Sequence, residues 1–222
     1  MTSKAEALFT FKSFGSNGLP SEAPVVGIST VLKKRQGDAT LSLQLNDSTL
    51  RDPKSLKGVV LAAEKPLGAG VKGTIAYNAG AKDTIATVTI DKKLNGNDLS
   101  LKGSYQFAGD VFILQETWKF NKQNKLVGTY NFAKEEAVFS LEHTRGSLKL
   151  GALYSLKTEK PVVSIEKKRG KDTFSAAYGI KDEATTLSWQ HKPFKTIVRG
   201  KAGKGGVKGV TAAVLITHEF EL

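Results

Sequence analysis

The chain has 222 residues, with 33 Lys and Arg against 21 Asp and Glu, a formal net charge of +12, and no cysteine. The missing cysteines exclude disulfide scaffolds, thiolate metal sites and cysteine nucleophiles, and the basic excess favours anionic partners such as phosphate, nucleic acid, acidic metabolites or lipid headgroups. No apolar run approaches the roughly 20 residues of a membrane-spanning helix, whereas a barrel strand needs only about ten alternating residues and leaves the mean hydropathy low.

Alternation begins almost at once. In "MTSKAEALFTFKSFG", Ala5, Ala7, Phe9 and Phe11 alternate with Glu6, Leu8, Thr10 and Lys12. The stretch has no continuous apolar core and no small-residue cleavage site, so no secretory signal is expected. Val26, Ile28 and Leu32 then alternate with Gly27, Ser29 and Lys33. In "TLSLQLND", Leu41, Leu43 and Leu45 occupy one side of an extended chain, and Thr40, Ser42, Gln44 and Asn46 the other. Val71, Ile75 and Tyr77 oppose Lys72, Thr74 and Asn78, and in "DLSLKGSYQFAGD" Leu99, Leu101, Tyr105 and Phe107 oppose Ser100, Lys102, Ser104 and Gln106. The same period of two runs through "DVFILQETWKF", "KLVGTYNFA", "AVFSLEH", "GSLKLGALYSLK", "PVVSIEKK", "DTFSAAYGIK", "ATTLSWQHK", "PFKTIVRGK" and "GVTAAVLITHEF".

Turn signals such as "KRQGD", "NAGAKD", "KKLNGND", "TRGS" and "KRGKD" separate these segments. Together they make about 14 to 16 strands in a meander of hairpins. No stretch carries the i, i+3, i+4, i+7 pattern of an amphipathic helix. No Pro/Ser-rich linker divides the chain, so residues 1–222 read as a single barrel domain.

Two architectures fit a meander: soluble β-sandwich or barrel domains with the apolar rows inside, or one transmembrane barrel with those rows outside. Aromatics favour the second, because Tyr77, Phe107, Trp118, Phe120, Tyr130, Phe132, Trp189 and Phe220 fall in apolar rows, often near segment ends, where interfacial girdles sit. The apolar rows also admit Gly73, Gly103, Gly128, Ala152, Ala176 and Ala212, which lipid tolerates and a close-packed core fills poorly. The expected fold is all-β: an antiparallel transmembrane β-barrel of about 12 to 16 strands.

The runs "GVVLAAEKPLGAGVKGTIAYN" and "WKFNKQNKLVGTYNFAKEEAVFSLEHTRG", with the C-terminus "THEFEL", resemble the small outer envelope pore protein of plastids, the roughly 24 kDa class. The similarity runs from Gly58 onward, and the N-terminal part matches less well. The resemblance implies a β-barrel in the plastid (chloroplast) outer membrane that lets small charged metabolites diffuse passively, among them triose phosphates, inorganic phosphate, dicarboxylates and amino acids. It also implies weak selectivity, with some members favouring cations.

Strand parity assigns a wet interior row containing Glu6, Lys12, Lys33, Lys72, Lys102, Lys149, Lys157, Glu166, Lys168, Lys195, Arg199, Lys201 and Glu219. The expected pore-lining cations are Lys12, Lys72, Lys102, Lys149, Lys157, Lys168, Lys195, Arg199 and Lys201. Such a wall attracts anions within about a Debye length, roughly 8 Å at physiological salt. Expected partners are small anionic or zwitterionic metabolites and membrane lipid, with no specific nucleic acid, and self-association into a homo-oligomer stays open. The alternative function is that of a soluble basic all-β protein binding an anionic ligand or nucleic acid.

Catalytic signals are poor. His143, His191 and His218 lie in separate segments without metal-ligand spacing. "GAGVKG" (68–73) fits a dinucleotide fingerprint formally, yet it opens no helix and reads as a hairpin turn entering a strand. "GKAGKGGVKG" (200–209) reads as a basic hairpin loop, and Glu135 and Glu136 as solvated turn charges. No catalytic residue, metal or cofactor is expected.

Overall fold

Strict alternation gives an extended chain two chemically different faces, and the described residues form sixteen strands, with one short helix beside them. The computed structural model describes residues 2–12, 25–52, 54, 56–203 and 206–221. The first strands are β1 (Thr2–Lys12), β2 (Val25–Gln36), β3 (Ala39–Asn46), β4 (Val60–Gly68), β5 (Val71–Asn78) and β6 (Asp83–Leu94). They continue as β7 (Asn97–Gln106), β8 (Val111–Lys119), β9 (Asn124–Asn131), β10 (Glu136–Arg145) and β11 (Leu148–Ser155). The last five are β12 (Lys160–Arg169), β13 (Asp172–Gly179), β14 (Ala184–His191), β15 (Phe194–Gly203) and β16 (Gly206–Glu221).

Each strand pairs antiparallel with its neighbours in sequence, and β1 pairs with β16, so the sheet closes into a barrel. Closure leaves no unpaired edge. Residues opposite one another across a ladder share a face, so the register carries one row around the whole ring. Leu150, for example, lies opposite His143 and Ile165, while its neighbour Lys149 lies opposite Thr144 and Glu166.

Exposure tells which row is outside. Side chains on a convex surface splay apart, and those on the concave surface shield one another. Phe112, Leu114 and Trp118 are exposed on β8, while the intervening Ile113, Gln115 and Thr117 are half-buried. The apolar row is therefore the outer one. Among the described residues there is no buried hydrophobic side chain at all. A soluble sandwich needs an apolar core, so this inverted distribution removes the soluble architecture and leaves a barrel whose apolar belt faces lipid. Leu41, Leu43 and Leu45 lie on that belt, and Thr40, Ser42 and Gln44 on the inner row.

The two ends of the barrel are built differently. At one end the connections are tight: Gly37–Asp38, Ala69–Gly70, Asn95–Gly96, Gly146–Ser147 and Gly170–Lys171 each join two strands directly. Asn95 and Gly96 both have positive φ, 50° and 80°, the geometry that matches a hairpin's twist. "GAGVKG" lies at the Ala69–Gly70 turn and runs into β5, as its sequence predicts. At the other end a four-residue turn recurs, closed by a residue at positive φ: Lys82, Asp110, Glu135, Glu159 and Glu183.

Sequence and structure differ in three places. The pattern predicts no helix, yet Asp47–Arg51 forms helix α1, because the Asn46 side-chain oxygen accepts from the Ser48 and Thr49 amides at 3.1 and 3.4 Å. Asn46 thus caps a helix as well as ending an inner row. The stretch 200–209 is mostly strand, β15 running to Gly203 and β16 resuming at Gly206. Gly209, at φ 59°, sits where the ladder slips by one residue, so two β16 residues oppose Gly200. Glu136 is the first residue of β10, where it accepts from Ser155 Oγ at 2.7 Å, and only Glu135 is a turn charge.

Two outcomes follow from this architecture. Replacing Leu101, Leu150 or Leu187 by Ala should be mild, because lipid replaces the lost methyl groups, whereas Lys at the same positions should cost about 2 to 4 kcal/mol near the bilayer midplane. Unfolding of the variants in lipid vesicles measures both, and core-sized losses across the Ala series would contradict a lipid-facing row. The second concerns Asp83, which is only 6% exposed and accepts from Gln106 Nε2 at 2.5 Å and from the Ala108 amide at 2.9 Å. Asp83→Ala should speed hydrogen exchange at Ala108 while leaving amides at the tight-turn end unchanged.

Candidate functional site: the charged inner wall

The inner row is where the chain concentrates its polar chemistry. Of the cations expected there, Lys72 on β5, Lys102 on β7, Lys149 on β11, Lys168 on β12, and Lys195, Arg199 and Lys201 on β15 all occupy it by register. Lys102 lies opposite Thr89 and Gln115, Lys168 opposite Thr173, and Arg199 opposite Thr186 and Thr211. Lys201 faces Lys208 directly because of the slip at Gly209. Glu166 and Lys33 share the row as well.

Lys157 does not. It lies in the turn between β11 and β12, where its ammonium group donates to the Lys134 carbonyl of the adjacent turn. Parity counted across a turn carries no meaning, because the chain there is no longer extended. The side chains of Lys12 and Glu219, like that of Phe220 in the apolar row, fall outside the described residues.

Carboxylates missing from the sequence-based row change its electrostatics. Glu142 on β10 sits between two ammonium groups, with Lys125 Nζ at 2.8 Å and Lys149 Nζ at 3.0 Å. Lys72 reaches Glu64 at 3.2 Å across the β4–β5 ladder. A further run of inner positions reads Lys93, Asp98, Lys119, Lys125 and Glu142 across β6 to β10, each opposite the next. The wall is thus a mosaic of both signs, in which Lys125, Lys149 and Lys72 are partly neutralised. Lys102, Lys168, Lys195 and Arg199 carry no ion pair among the described residues. Strand parity identifies the row and says nothing about lateral neighbours, so these acids become visible only once register is known.

Between the charges the wall is lined by small groups. Gly151, Ser164, Ser175 and Ala177 floor a shallow niche bordered by Glu142, Lys149 and Glu166. Ser175 Oγ lies 2.7 Å from Ser188 Oγ. Short side chains keep the wall low, which leaves room for water inside a barrel of sixteen strands.

The two histidines with described side chains stand away from the inner wall. His143 Nδ1 meets Asn124 Oδ1 at 2.8 Å, and His191 Nδ1 meets Asp172 Oδ1 at 2.9 Å, both at strand ends on the apolar row. His218 falls outside the described side chains. No cluster of His, Asp and Glu suited to a metal ion occurs among the described residues.

A sequence signal for the barrel rim passes unnoticed in strand-by-strand reading. Tyr130, Tyr154 and Tyr178 recur at constant spacing, each followed by an apolar residue (Phe132, Leu156, Ile180) and then a positive-φ acid (Glu135, Glu159, Glu183). The repeat marks one hairpin per unit. Neighbouring units are tied by charge: Lys181 Nζ lies 3.0 Å from Glu159, and Lys160 Nζ 3.7 Å from Asp182.

Comparison with known proteins follows the same lines. The sequence profile of outer envelope pore protein 24 matches residues 21–200. That match begins well before Gly58, where the resemblance is read to start in the sequence, and ends before "THEFEL". Among curated proteins none matches the chain. Mutant porins of Rhodopseudomonas blastica superimpose with a TM-score of 0.62 at 12% and 13% identity, covering 99% of this chain and 100% of theirs. A structure titled "Asymmetric conductivity of engineered proteins" gives 0.63 at 12% identity over 99% of both chains. At such identities the likeness shows the fold, a porin-like barrel. The profile match covers most of the chain and coincides with a closed barrel that is apolar outside and charged within, so the chain belongs to the outer envelope pore protein 24 family of outer-membrane β-barrel channels.

Proposed function

We propose that the barrel is a passive pore for small charged metabolites across a plastid outer envelope, and that residues 1–222 act as one domain without a catalytic step or cofactor. Triose phosphates, inorganic phosphate, dicarboxylates and amino acids are the solutes that this reading assigns to it. The observation that carries it is the inner row itself: Lys102, Lys168, Lys195 and Arg199 lie on the concave face of a closed barrel without an opposing carboxylate at hand.

A cation on the wall lowers the energy of an anion passing within about a Debye length, roughly 8 Å at physiological salt, and leaves ions further out indifferent. Lys72, Lys149 and Lys201 belong to the proposed lining with those four. Lys149 acts as part of the Lys125–Glu142–Lys149 group rather than as a free cation. A mosaic of this kind passes zwitterions and anions with low discrimination, since it offers partners to both an ammonium and a carboxylate or phosphate.

Swelling of proteoliposomes in isosmotic solutions of phosphate, dicarboxylate, amino acid and neutral sugar tests the solute class. Faster swelling in the charged solutes than in a sugar of similar size is expected, and equal rates would remove the wall charges from the selection.

Two electrical outcomes are specific to residues. Reversing Lys102, Lys149, Lys195 and Arg199 together to Glu should move the reversal potential of reconstituted channels under a salt gradient towards cation preference, with the difference shrinking as salt rises. An unchanged potential in an inserted, open variant would take these residues out of the conduction path. Conversely, Glu142→Gln should free Lys125 and Lys149 and shift the potential towards anion preference. A cation-directed shift would mean that Glu142 does not hold these two charges in the open channel.

A further inference from the structure

The outer face is not uniform around the ring. Across β12 to β15 it carries a groove of about 450 Å³, lined by Ile165, Lys167, Phe174, Ala176, Leu187 and Trp189 among others. Its size is within the roughly 300 to 1,000 Å³ typical of sites for small organic ligands. Register explains the shape: Phe174 and Trp189 lie opposite each other on β13 and β14, and the next outer pair towards the barrel's middle is Ala176 and Leu187. A small residue beside two large rings leaves a hollow in the apolar surface.

We propose that this groove binds one anionic phospholipid, an acyl chain lying over Ala176 between Ile165 and Leu187 and the phosphate meeting Lys167. The occupant follows from the charge. Lys167 is an exposed lysine in the outer row, opposite Leu148 and Phe174, and no carboxylate pairs with it among the described residues. Arg169, the next outer residue of β12, lies opposite Asp172 at the strand ends. Asp172 is already engaged, accepting from Trp189 Nε1 at 2.8 Å and contacting His191 at 2.9 Å, and this fixes the indole beside the groove. A lysine stem lies well along an apolar surface while its ammonium reaches the headgroup level, and in lipid only an anionic headgroup neutralises it there.

At the same end Trp118 on β8 lies opposite Leu99 and Leu126, with the exposed outer Lys92 beyond Leu99 as Lys167 lies beyond Phe174. The difference is in the adjacent outer residue of each strand: Glu116, which repels an anionic headgroup, beside Trp118, and Leu187 beside Trp189. The chain's 2 tryptophans therefore report on a proposed site and on a control position.

The test uses the full chain reconstituted in vesicles of mixed phosphatidylglycerol and phosphatidylcholine, with either lipid brominated to quench tryptophan fluorescence. Trp118→Phe leaves Trp189 as the reporter, and Trp189→Phe leaves Trp118. Brominated phosphatidylglycerol should quench Trp189 several-fold more effectively than brominated phosphatidylcholine at equal mole fraction, and should show no such advantage at Trp118. Lys167→Gln should abolish the advantage at Trp189 and Lys167→Arg should keep it. High salt on the Trp118→Phe protein gives a second reading that needs no change at Lys167, and should erase the advantage as well. Equal quenching by the two lipids at Trp189, or an advantage that survives both Lys167→Gln and high salt, would overturn the site. So would the same advantage at both tryptophans, which would mark diffuse attraction to a net positive barrel.

Discussion

Backbone hydrogen bonding in a solvent without water is the constraint on which this structure depends. Inside a bilayer each unpaired amide or carbonyl costs several kcal/mol, and a chain with no spanning helix can avoid that only by closing a sheet on itself. Among the described residues no helix is long and apolar enough to cross a membrane, and the sixteen strands close through the β1–β16 ladder. Everything else follows from closure. It fixes which face is convex, turns the apolar rows of the hairpins into a single belt, and collects the polar rows into one interior.

Closure also explains why the interior is chemically mixed. Sixteen short polar rows converge on a concave wall, where side chains that are distant in sequence become neighbours two ladders away. A wall of lysines alone would repel itself, and the inserted acids relieve that: Glu142 holds Lys125 and Lys149, and Glu64 holds Lys72. The cations left without such partners set the sign of the residual field. Charge at the rim is used otherwise. Lys157, Lys160 and Lys181 connect successive turns, so that basic residues close in sequence to inner-row lysines hold loops together instead.

The outer belt is more than a passive apolar surface. Aromatic pairs such as Tyr130 with Phe132, with ring centroids 4.6 Å apart, and Trp118 with Phe120, at 5.7 Å, stand near opposite ends of the strands, as interfacial girdles do. Between them the small residues Gly103 and Gly128 lie under Phe112 and Phe139, whose ring atoms would meet a Cβ at about 3.4 to 3.5 Å. Rings therefore pack over glycine on the neighbouring strand. Ala176 beside Phe174 and Trp189 leaves a hollow instead, the groove across β12 to β15.

The alternation in "TLSLQLND" and its counterparts determined the strands, their two faces and the hairpin meander, because side-chain direction in an extended chain depends only on position along it. The excess of lysine and arginine and the aromatics near segment ends were equally legible, being properties of composition and order. The same local rule failed where the chain leaves extended geometry. Lys157 drops into a turn, Asn46 caps a helix, and Gly209 shifts the ladder so that Lys201 meets Lys208. Only the tertiary structure decided the exact number of strands, the register of the β1–β16 ladder, and which acids stand beside which bases. Those depend on lateral register between strands, and a period of two records the face of each residue but not its neighbour across the ladder.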